Sequence, residues 1–470
     1  MVTLLVLILY SAALVALSLF VSRRVTRSTD FFVAGRQLSP ALLFSTFLAA
    51  NLGAGTTVGA AEFGYRYGLS AWWWVGSAGI GSLILGLFIG PRIYRIASEH
   101  NLYTVGDYLE LRYSRVVRYL MAAMLWLGSL SILAAQLIAL GLVLNVVAGL
   151  PSAWGAALGG VLVIIYFTAG GLLSSAWVNL VQVAVKAVGF SLAVPWALSG
   201  VGGWGAIRTA VEQNPSLAAE SYLSVTGLGL EAILRYAVIL IPSFIVSPGL
   251  IQKLYGARDE STVRKAVGAQ GVVLLLYSFM PVTLGMVAMV RFPHLDNPGL
   301  ALPKLLAEGL PAWLGGLMLA AIFSAEVSSA DAVLFMLTTS VSRDFVQTAL
   351  RRGSNDADLL RITRVTAVAA GAAGIVLALW LQSILAALEI FYSLLAVSLF
   401  VPLLAGLYSS RPTAGAALAA MVASVPATVA VHLLTRGGGV GPLTPAAVGI
   451  LFSAIIFSLF AIRKKSAAPV

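Results

Sequence analysis

The clearest candidate for chemistry in this sequence is a pair of adjacent serines, Ser328 and Ser329, within a long apolar stretch. On a helix, positions i, i+3 and i+4 share a face, so both hydroxyls are expected near the carbonyl of Ala325. Three neutral oxygens in an arc suit sodium, and carbonyls released by an unwound stretch at Ala49 and Leu52 would complete its shell. The alternative is that both serines bond carbonyls one turn earlier in their own helix.

Charged and polar side chains accompany this pair in equally apolar surroundings. Glu326 and Asp331 flank the serines. An acid in a membrane span costs about 2.5 kcal/mol or more, so each is expected to have a partner or to stand beside a cation. A second apolar stretch carries Asn179, Gln182 and Lys186 at i, i+3 and i+7, which places them on one polar helix face. These five residues are candidates for a coupling or charge network.

Lys186 is the single basic residue well inside any predicted span. One hypothesis pairs it with an intramembrane carboxylate, either Glu326 or Glu389. Another is that it attracts an anionic group of a substrate. The alternative is that its four-carbon stem lets the ammonium reach a membrane interface.

The composition defines where these residues act. Of 470 residues, 60% are hydrophobic and 10% are charged, a balance that a water-soluble surface does not tolerate. A helix needs about 20 apolar residues to cross the hydrocarbon core, and thirteen windows of the sequence qualify as spans. Their predicted limits are 2–22, 40–66, 69–90, 116–148, 152–170, 176–203, 231–254, 269–290, 311–340, 362–382, 383–407, 412–435 and 444–462. The chain is therefore expected to be an all-α polytopic membrane protein.

Other classes of function are disfavoured by what the sequence lacks. It has no cysteine, and its histidines, His100, His294 and His432, are too scattered to bind a metal together. The net charge of +11 is better explained by membrane topology than by nucleic-acid binding. The first span lacks the start and cleavage site of a signal peptide and is expected to be retained. No loop is long enough for a soluble domain, and no catalytic cluster occurs at span depth.

The distribution of basic residues between alternate loops predicts the orientation. One set of loops carries 22 of the 29 Lys and Arg residues, among them Arg23, Arg92, Arg258 and Arg343, and the other set carries six. Cytoplasmic loops are enriched in Lys and Arg, so the N-terminus is expected outside and the C-terminus inside the cell.

Two of the predicted spans contain residues that interrupt helices. Span two places Asn51, two glycines and two threonines between residues 51 and 57, and span seven contains Pro242, Pro248 and Gly249. Tight packing through small residues is the alternative explanation for span two. Interrupted helices at corresponding positions of two halves are typical of transporters built from inverted repeats, which bind substrate and ion at the breaks.

The predicted division of the chain follows from these two breaks. A first five-helix repeat is expected over 40–203 and a second, inverted one over 231–407. An extra helix and a basic loop precede them at 1–39, and two helices with a basic tail follow at 408–470. An odd number of spans in each half makes the two repeats antiparallel.

Five segments, in order and each at the expected span, resemble the sodium:solute symporter family, which includes the sodium/glucose and sodium/proline cotransporters. These segments are Asp30–Arg36, the glycine at Gly68, Tyr166–Gln182, Gln252–Ala266 and Leu317–Asp331. The resemblance covers nearly the whole chain. It implies the leucine-transporter-like fold, with one helix before a ten-helix core and two after it.

The resemblance also implies site residues. It assigns the sodium site of the family to the carbonyls of Ala49, Leu52 and Ala325 and the hydroxyls of Ser328 and Ser329. This agrees with the assignment made from spacing.

Two positions depart from the pattern of the family. Asn179 stands where the family usually has an acid that serves a second sodium site or ion release in some members. Glu326 occupies a position that is usually apolar. We therefore expect one sodium ion, and Glu326 either restores the missing charge or binds a coupling proton.

By position in the family, seven residues are expected to line the substrate pocket. They are Asn51, Gly55, Thr56, Gln136, Ser247, Gly249 and Tyr277. Sugar-binding relatives often place larger polar groups at two of these positions, so a sugar is not expected here. An unpaired Lys186 would favour a carboxylate, such as an amino acid or a short organic acid.

The sequence predicts a multi-pass transporter of the cell membrane that uses sodium to carry a small organic solute by alternating access. Its expected partners are the solute and the lipid bilayer, with no obligate protein partner evident and no nucleic acid. The main alternative is a proton-coupled transporter of the same fold, with Glu326 or Lys186 as the titrating group. A solute-binding membrane sensor is a further alternative.

Overall fold

The computed structural model describes residues 2–22, 36–169, 172–341, 356–409, 413–441 and 443–462. Within these ranges the chain is almost entirely helical, and the strand-like pairing consists of isolated bridges at Leu38–Ala257 and Val440–Leu443. Parts of the predicted motifs and basic loops, at 23–35, 170–171, 342–355 and 463–470, lie outside the described residues.

The α-helices run the length of the chain in the following order. They are α1 Val2–Ser22, α2 Pro40–Asn51, α3 Val58–Tyr67, α4 Trp72–Ile84, α5 Gly90–Glu99, α6 Val105–Arg112, α7 Arg115–Ala148, α8 Ser152–Ala169, α9 Leu172–Val201, α10 Gly203–Glu212, α11 Ala219–Tyr222, α12 Gly229–Val246, α13 Pro248–Tyr255, α14 Glu260–Tyr277, α15 Phe279–Arg291, α16 Ala301–Glu308, α17 Ala312–Thr339, α18 Asp356–Leu381, α19 Ile384–Tyr408, α20 Ala414–Leu434 and α21 Pro445–Ile462. Short 3-10 turns occur at Gly68–Ala71 and Pro298–Leu300, and a π-helical turn, Leu85–Ile89, joins α4 to α5.

The helices agree with the predicted membrane spans. Nine helical stretches of the described residues are long and apolar enough to cross a membrane, and four shorter apolar helices accompany them. All thirteen predicted spans coincide with helices. The predicted boundary near residue 382 is confirmed, because α18 ends at Leu381 and α19 begins at Ile384, with the Ser383 hydroxyl accepting from the Ala386 N–H.

Two predicted spans are shorter than the helices that contain them. The helix of the third span continues through α5 to Glu99, and that of the eighth begins at Glu260. The Asp259 carboxylate caps α14 by accepting from the Thr262 N–H at 2.7 Å. These extra turns carry polar residues, so a search for apolar windows does not find them.

Both predicted interruptions occur, and they differ in form. Residues 52–57 separate α2 from α3, whereas Ser247 alone separates α12 from α13. The prediction that both prolines of span seven break the helix is wrong, because Pro242 lies inside α12 and Pro248 begins α13. Proline suits a first helical position, where its missing N–H would have no helical partner.

The segment before α2 is joined to the segment after α13 by backbone hydrogen bonds. The Leu38 N–H donates to the Gly256 carbonyl at 2.9 Å, and the Arg258 N–H donates to the Leu38 carbonyl at 3.2 Å. The Arg36 guanidinium also donates to the Leu102 carbonyl at 2.8 Å. This end of the molecule is closed by contacts between the two interrupted helices.

At the other end of the first break, α3 packs against α15 at backbone distance. A Cβ atom added to Gly285 would lie 2.0 Å from the Ala61 carbonyl oxygen, and one added to Gly64 would lie 2.4 Å from that of Val282. Only glycine fits at these two positions, because the atoms in the way belong to the backbone.

We predict that Gly285→Ala lowers the stability of the protein. The added methyl group forces α3 and α15 apart, and overpacking of this kind costs about 1–3 kcal/mol. Thermal unfolding in detergent measures the effect as a lower Tm. Gly415→Ala is the matched control, since a Cβ there meets nothing within 4 Å. Equal Tm values for the Gly285 variant and the wild type would contradict the packing described here.

Candidate functional site

The interrupted segment 52–57 is buried, so its backbone needs partners that a continuous helix would have supplied. Side chains provide them. The Gln136 amide oxygen, on α7, accepts from the Ala54 N–H at 2.9 Å. The Thr56 hydroxyl donates to the Asn51 carbonyl at 2.6 Å. The break is therefore held by its own threonine and by a neighbouring helix.

Gly53 allows the break to approach two other helices closely. A Cβ atom at this position would lie 2.7 Å from both the Gln136 amide oxygen and the Ser329 hydroxyl. The Gly53 carbonyl lies 2.9 Å from the Thr57 hydroxyl, whose single proton it shares with Glu326 Oε1 at 2.8 Å. The unwound segment thus lies directly between α7 and α17.

The two serines contact two different helices, and Ser329 contacts the broken one. The Ser329 hydroxyl donates to the Ala49 carbonyl at 3.3 Å, and the Ser328 hydroxyl donates to the Asn179 amide oxygen at 2.5 Å. Ala325 lies buried one turn earlier on α17. The alternative, in which the serines bond only their own helix, is wrong, because both hydrogen bonds cross to other helices.

Lys186 lies within the site and not at a membrane interface. Its side chain is 1% exposed, and its ammonium donates to the Leu52 carbonyl at 2.8 Å. It interacts electrostatically with Glu326. The alternative of a snorkelling lysine is wrong, and so is the pairing with Glu389, whose charged neighbours are Arg235 and His432. The Leu52 carbonyl, predicted as a sodium ligand, is thus in contact with a cation of the protein.

Glu326 is fully buried beside this lysine. One carboxylate oxygen, Oε1, accepts from the Thr57 hydroxyl at 2.8 Å. The other, Oε2, has no hydrogen-bond partner among the described residues. The acid that departs from the family pattern therefore contacts the first break through Thr57 and has one oxygen available.

The polar face predicted on α9 is present and faces the site. The Asn179 amide donates to the Thr46 hydroxyl of α2 at 3.3 Å. The Gln182 amide donates to the Ser324 hydroxyl of α17 at 2.7 Å and to its carbonyl at 3.1 Å. Because Asn179 is neutral and uses both ends of its amide, it brings no charge to the serine pair.

Asp331 interacts with a second buried cation, Lys253, which the sequence reasoning assigned to a loop. Lys253 lies on α13, and its ammonium donates to the Thr46 carbonyl at 2.9 Å. Lys253 lies at the end of the predicted span 231–254, and it was counted among the basic residues of the loops, which placed it outside the membrane. Lys253 belongs to the Gln252–Ala266 motif, and this position in the sequence could have indicated a role for it in the site.

Two small cavities flank the first break, and the predicted pocket residues line them, with one exception. A cavity of about 30 Å³ is lined by Asn51, Gly55, Thr56 and Gln136, and one of about 70 Å³ by Asn51, Ser247, Gly249 and Lys253. The exception is Tyr277, whose prediction is corrected because its ring packs against Phe190 with centroids 5.1 Å apart. The end of α14 turns this ring toward α9, away from both cavities.

Aromatic side chains that sequence reasoning missed form walls of these cavities. Trp74, Phe244 and Tyr392 line the smaller one, and the Trp74 indole donates to the Gly55 carbonyl at 2.9 Å. Aromatic residues are common throughout membrane spans, so their types alone did not distinguish them from core. Asn51 borders both cavities, and its amide nitrogen has no hydrogen-bond partner among the described residues.

Two interrupted helices that meet at a buried polar site define a transporter of the leucine-transporter-like fold. A solved structure with this fold is the outward-open, substrate-bound state of a sodium-coupled sialic acid symporter. It superposes with a TM-score of 0.84 at 19% identity and covers 100% of this chain and 99% of that chain. The predicted fold class, with its inverted-repeat core, is confirmed.

Sequence comparison identifies the family. The profile of the sodium:solute symporter family matches residues 31–424, so the chain belongs to that family. The sodium/pantothenate symporter of Escherichia coli is 25% identical, over 97% of this chain and 95% of its own length. The sodium/glucose cotransporter of Vibrio parahaemolyticus is also 25% identical, over 89% of this chain and 82% of its own. The protein is a sodium-coupled symporter of solutes in a membrane, and sodium is its coupling ion.

We predict that the contact between Thr57 and Glu326 contributes to stability. Thr57→Val keeps the shape of the side chain but leaves a fully buried carboxylate without its hydroxyl donor, which costs about 1–3 kcal/mol. Thermal unfolding in detergent measures this as a lower Tm. Thr57→Ser, which keeps the hydroxyl, is the control and is expected to unfold near the wild-type temperature. A valine variant as stable as the serine variant would contradict the assigned hydrogen bond.

Proposed function

We propose that this protein couples the entry of one sodium ion to the entry of a small carboxylate solute, an amino acid or a short organic acid, by alternating access. The observation that carries the proposal is the contact between the Ser329 hydroxyl and the Ala49 carbonyl, which joins the broken helix to α17. The N-terminus faces the outside and the C-terminus the cytoplasm. Residues 40–203 form the first repeat, and residues 231–407 form the second, inverted one.

The proposed sodium shell consists of the carbonyls of Ala49, Leu52 and Ala325 with the hydroxyls of Ser328 and Ser329. All five residues are buried, and none carries a charge. Neutral oxygens from a break and from an intact helix fit a monovalent cation that must be released again. Asn179 beside Ser328 offers an amide and no carboxylate, which supports one sodium per cycle.

A carboxylate solute is supported by the donors around the larger cavity. The Asn51 amide nitrogen lacks a partner among the described residues. Lys253 also lines this cavity, and its ammonium donates to the Thr46 carbonyl at 2.9 Å. Lys186 does not supply a positive charge for the carboxylate, because its ammonium contacts the Leu52 carbonyl and the residue lines neither cavity.

The solutes in the names of similar proteins support the same class. Pantothenate and sialic acid, carried by two of the compared symporters, are both carboxylates, whereas glucose, carried by the third, is not. The larger cavity of about 70 Å³ and its neighbours Phe244 and Tyr392 favour a short solute with an apolar part.

Coupling follows from the position of the broken helix between the two sites. Sodium between Ala49 and Ser329 fixes the segment that carries Asn51, so the solute binds to a pocket that is already ordered. Release to the cytoplasm requires the bonds between Leu38 and the Gly256–Arg258 segment to open. Each ligand must raise the affinity for the other by the same factor.

We predict that Ser328→Ala combined with Ser329→Ala weakens sodium activation of uptake in proteoliposomes. Loss of two of the five proposed ligands is expected to raise the half-activating sodium concentration at least about tenfold, which corresponds to about 1.4 kcal/mol. Ser131→Ala with Ser398→Ala is the matched control, because both of these buried serines bond carbonyls of their own helices. Unchanged sodium activation in the Ser328 and Ser329 variant would refute the assigned sodium site.

We predict that a carboxylate solute stabilises the purified protein only when sodium is present. Amino acids, short organic acids, sugars and nucleobases are screened by thermal unfolding with and without sodium. A ligand at about 100 times its Kd adds about 2.7 kcal/mol of stability. Asn51→Asp, which has nearly the same shape, is expected to abolish the effect by repelling the carboxylate. Stabilisation by a sugar and by no acid would overturn the proposed solute class.

A further inference from the structure

The ammonium of Lys186 occupies a position that the proposed sodium site also requires. The Leu52 carbonyl, one of the five proposed ligands, accepts from Lys186 Nζ at 2.8 Å. This carbonyl is available as an acceptor because α2 ends at Asn51, and among the described residues no backbone N–H donates to it. A sodium ion and an ammonium on one carbonyl oxygen would repel each other strongly in a buried site. They are therefore alternative occupants.

A second acceptor for the ammonium is present nearby. Glu326 Oε1 is bonded to Thr57, whereas Oε2 has no hydrogen-bond partner among the described residues. The two charged side chains interact electrostatically, yet the single hydrogen bond of Lys186 goes to Leu52. The flexible four-carbon stem of lysine allows its ammonium to change acceptors without movement of the helix.

Among the polar residues described around Lys186, Glu326 is the one that carries a charge opposite to that of the lysine. Asn179 and Gln182 share the polar face of α9 and are neutral, and the Tyr277 hydroxyl near Glu326 has no hydrogen-bond partner within the described ranges. Asp331 interacts with Lys253. The charge balance of this part of the site is therefore set by Lys186 and Glu326 together.

We propose that Lys186 competes directly with sodium for the Leu52 carbonyl. In the absence of sodium the ammonium holds the end of α2 against α9. When sodium binds, the ammonium moves to Glu326 Oε2, and sodium takes its place on the Leu52 carbonyl, between the end of α2 and α17. Lys186 is thus a positioning residue that links sodium occupancy to the position of the broken helix. The inference rests on the proposed sodium site.

The proposal predicts that Lys186→Met binds sodium more tightly. Without the competing ammonium, and with the charge of Glu326 unopposed, the Kd for sodium is expected to fall at least about tenfold. Binding of radioactive sodium to the purified full-length protein, without solute, measures the change. Lys304→Met removes the same charge from a helix outside the site, near Phe292, and is expected to leave the Kd unchanged. An unchanged or higher Kd in the Lys186 variant overturns the proposal.

A double variant separates competition from a simple effect of charge. Lys186→Met with Glu326→Gln leaves the net charge of the site as in the wild type but removes the competitor for the Leu52 carbonyl. A Kd still below the wild-type value supports direct exchange, and a Kd equal to it overturns that exchange. If the methionine variants do not fold, Lys186→Gln is used alone and with Glu326→Gln, with the same two outcomes.

A separate experiment tests whether sodium binds at the proposed site. Ser328→Ala with Ser329→Ala removes ligands that Lys186 does not contact, so its effect does not depend on the exchange. Sodium binding that is weakened by the serine changes and not strengthened by loss of Lys186 refutes only the competition. Sodium binding that ignores the serine changes refutes the site itself.

Discussion

The structure depends on one constraint, which is that a backbone within lipid must find its hydrogen-bond partners inside the protein. Residues 52–57 leave the helical pattern and so lose the partners that a helix provides. Some backbone bonds remain, such as those from the Thr56 and Thr57 N–H groups to the Gly53 carbonyl, and the side chains of Gln136, Thr56, Thr57 and Lys186 supply others. The contacts that make the unwound segment tolerable are the same contacts that bring α7, α9 and α17 together around it.

This constraint also explains why polar residues concentrate where they do. Several polar side chains around the break reach a group on another helix: Ser329 reaches Ala49, Asn179 reaches Thr46, and Lys253 reaches the Thr46 carbonyl. The second break needs less support, because it consists of Ser247 alone and Pro248 begins the next helix without an N–H to satisfy. The polar and charged side chains are therefore gathered mainly around the first break.

Much of this arrangement was predictable from the sequence, because apolar windows and helix-breaking residues act locally. The thirteen spans and both breaks follow from composition, and the shared face of Ala325, Ser328 and Ser329 follows from i, i+3 and i+4 spacing. The acceptor of Lys186 was not predictable, because Leu52 and Glu326 lie far apart in sequence and only the packing of three helices decides between them. Lys253 and Tyr277 were misassigned for a related reason, since the local sequence does not show which way a helix end turns.

The close contact of α3 with α15 has a mechanical consequence. At Gly64 and Gly285 the backbones of α3 and α15 touch with no side chain between them. Neither helix can slide along the other unless the two first separate, so they are expected to stay together. The half of the broken helix before residue 52 is bonded instead to the α13 region, through Leu38 and Lys253. The two halves of the broken helix are therefore attached to different helices, α2 to α13 and α3 to α15, and residues 52–57 are the segment across which any difference in their positions must be absorbed.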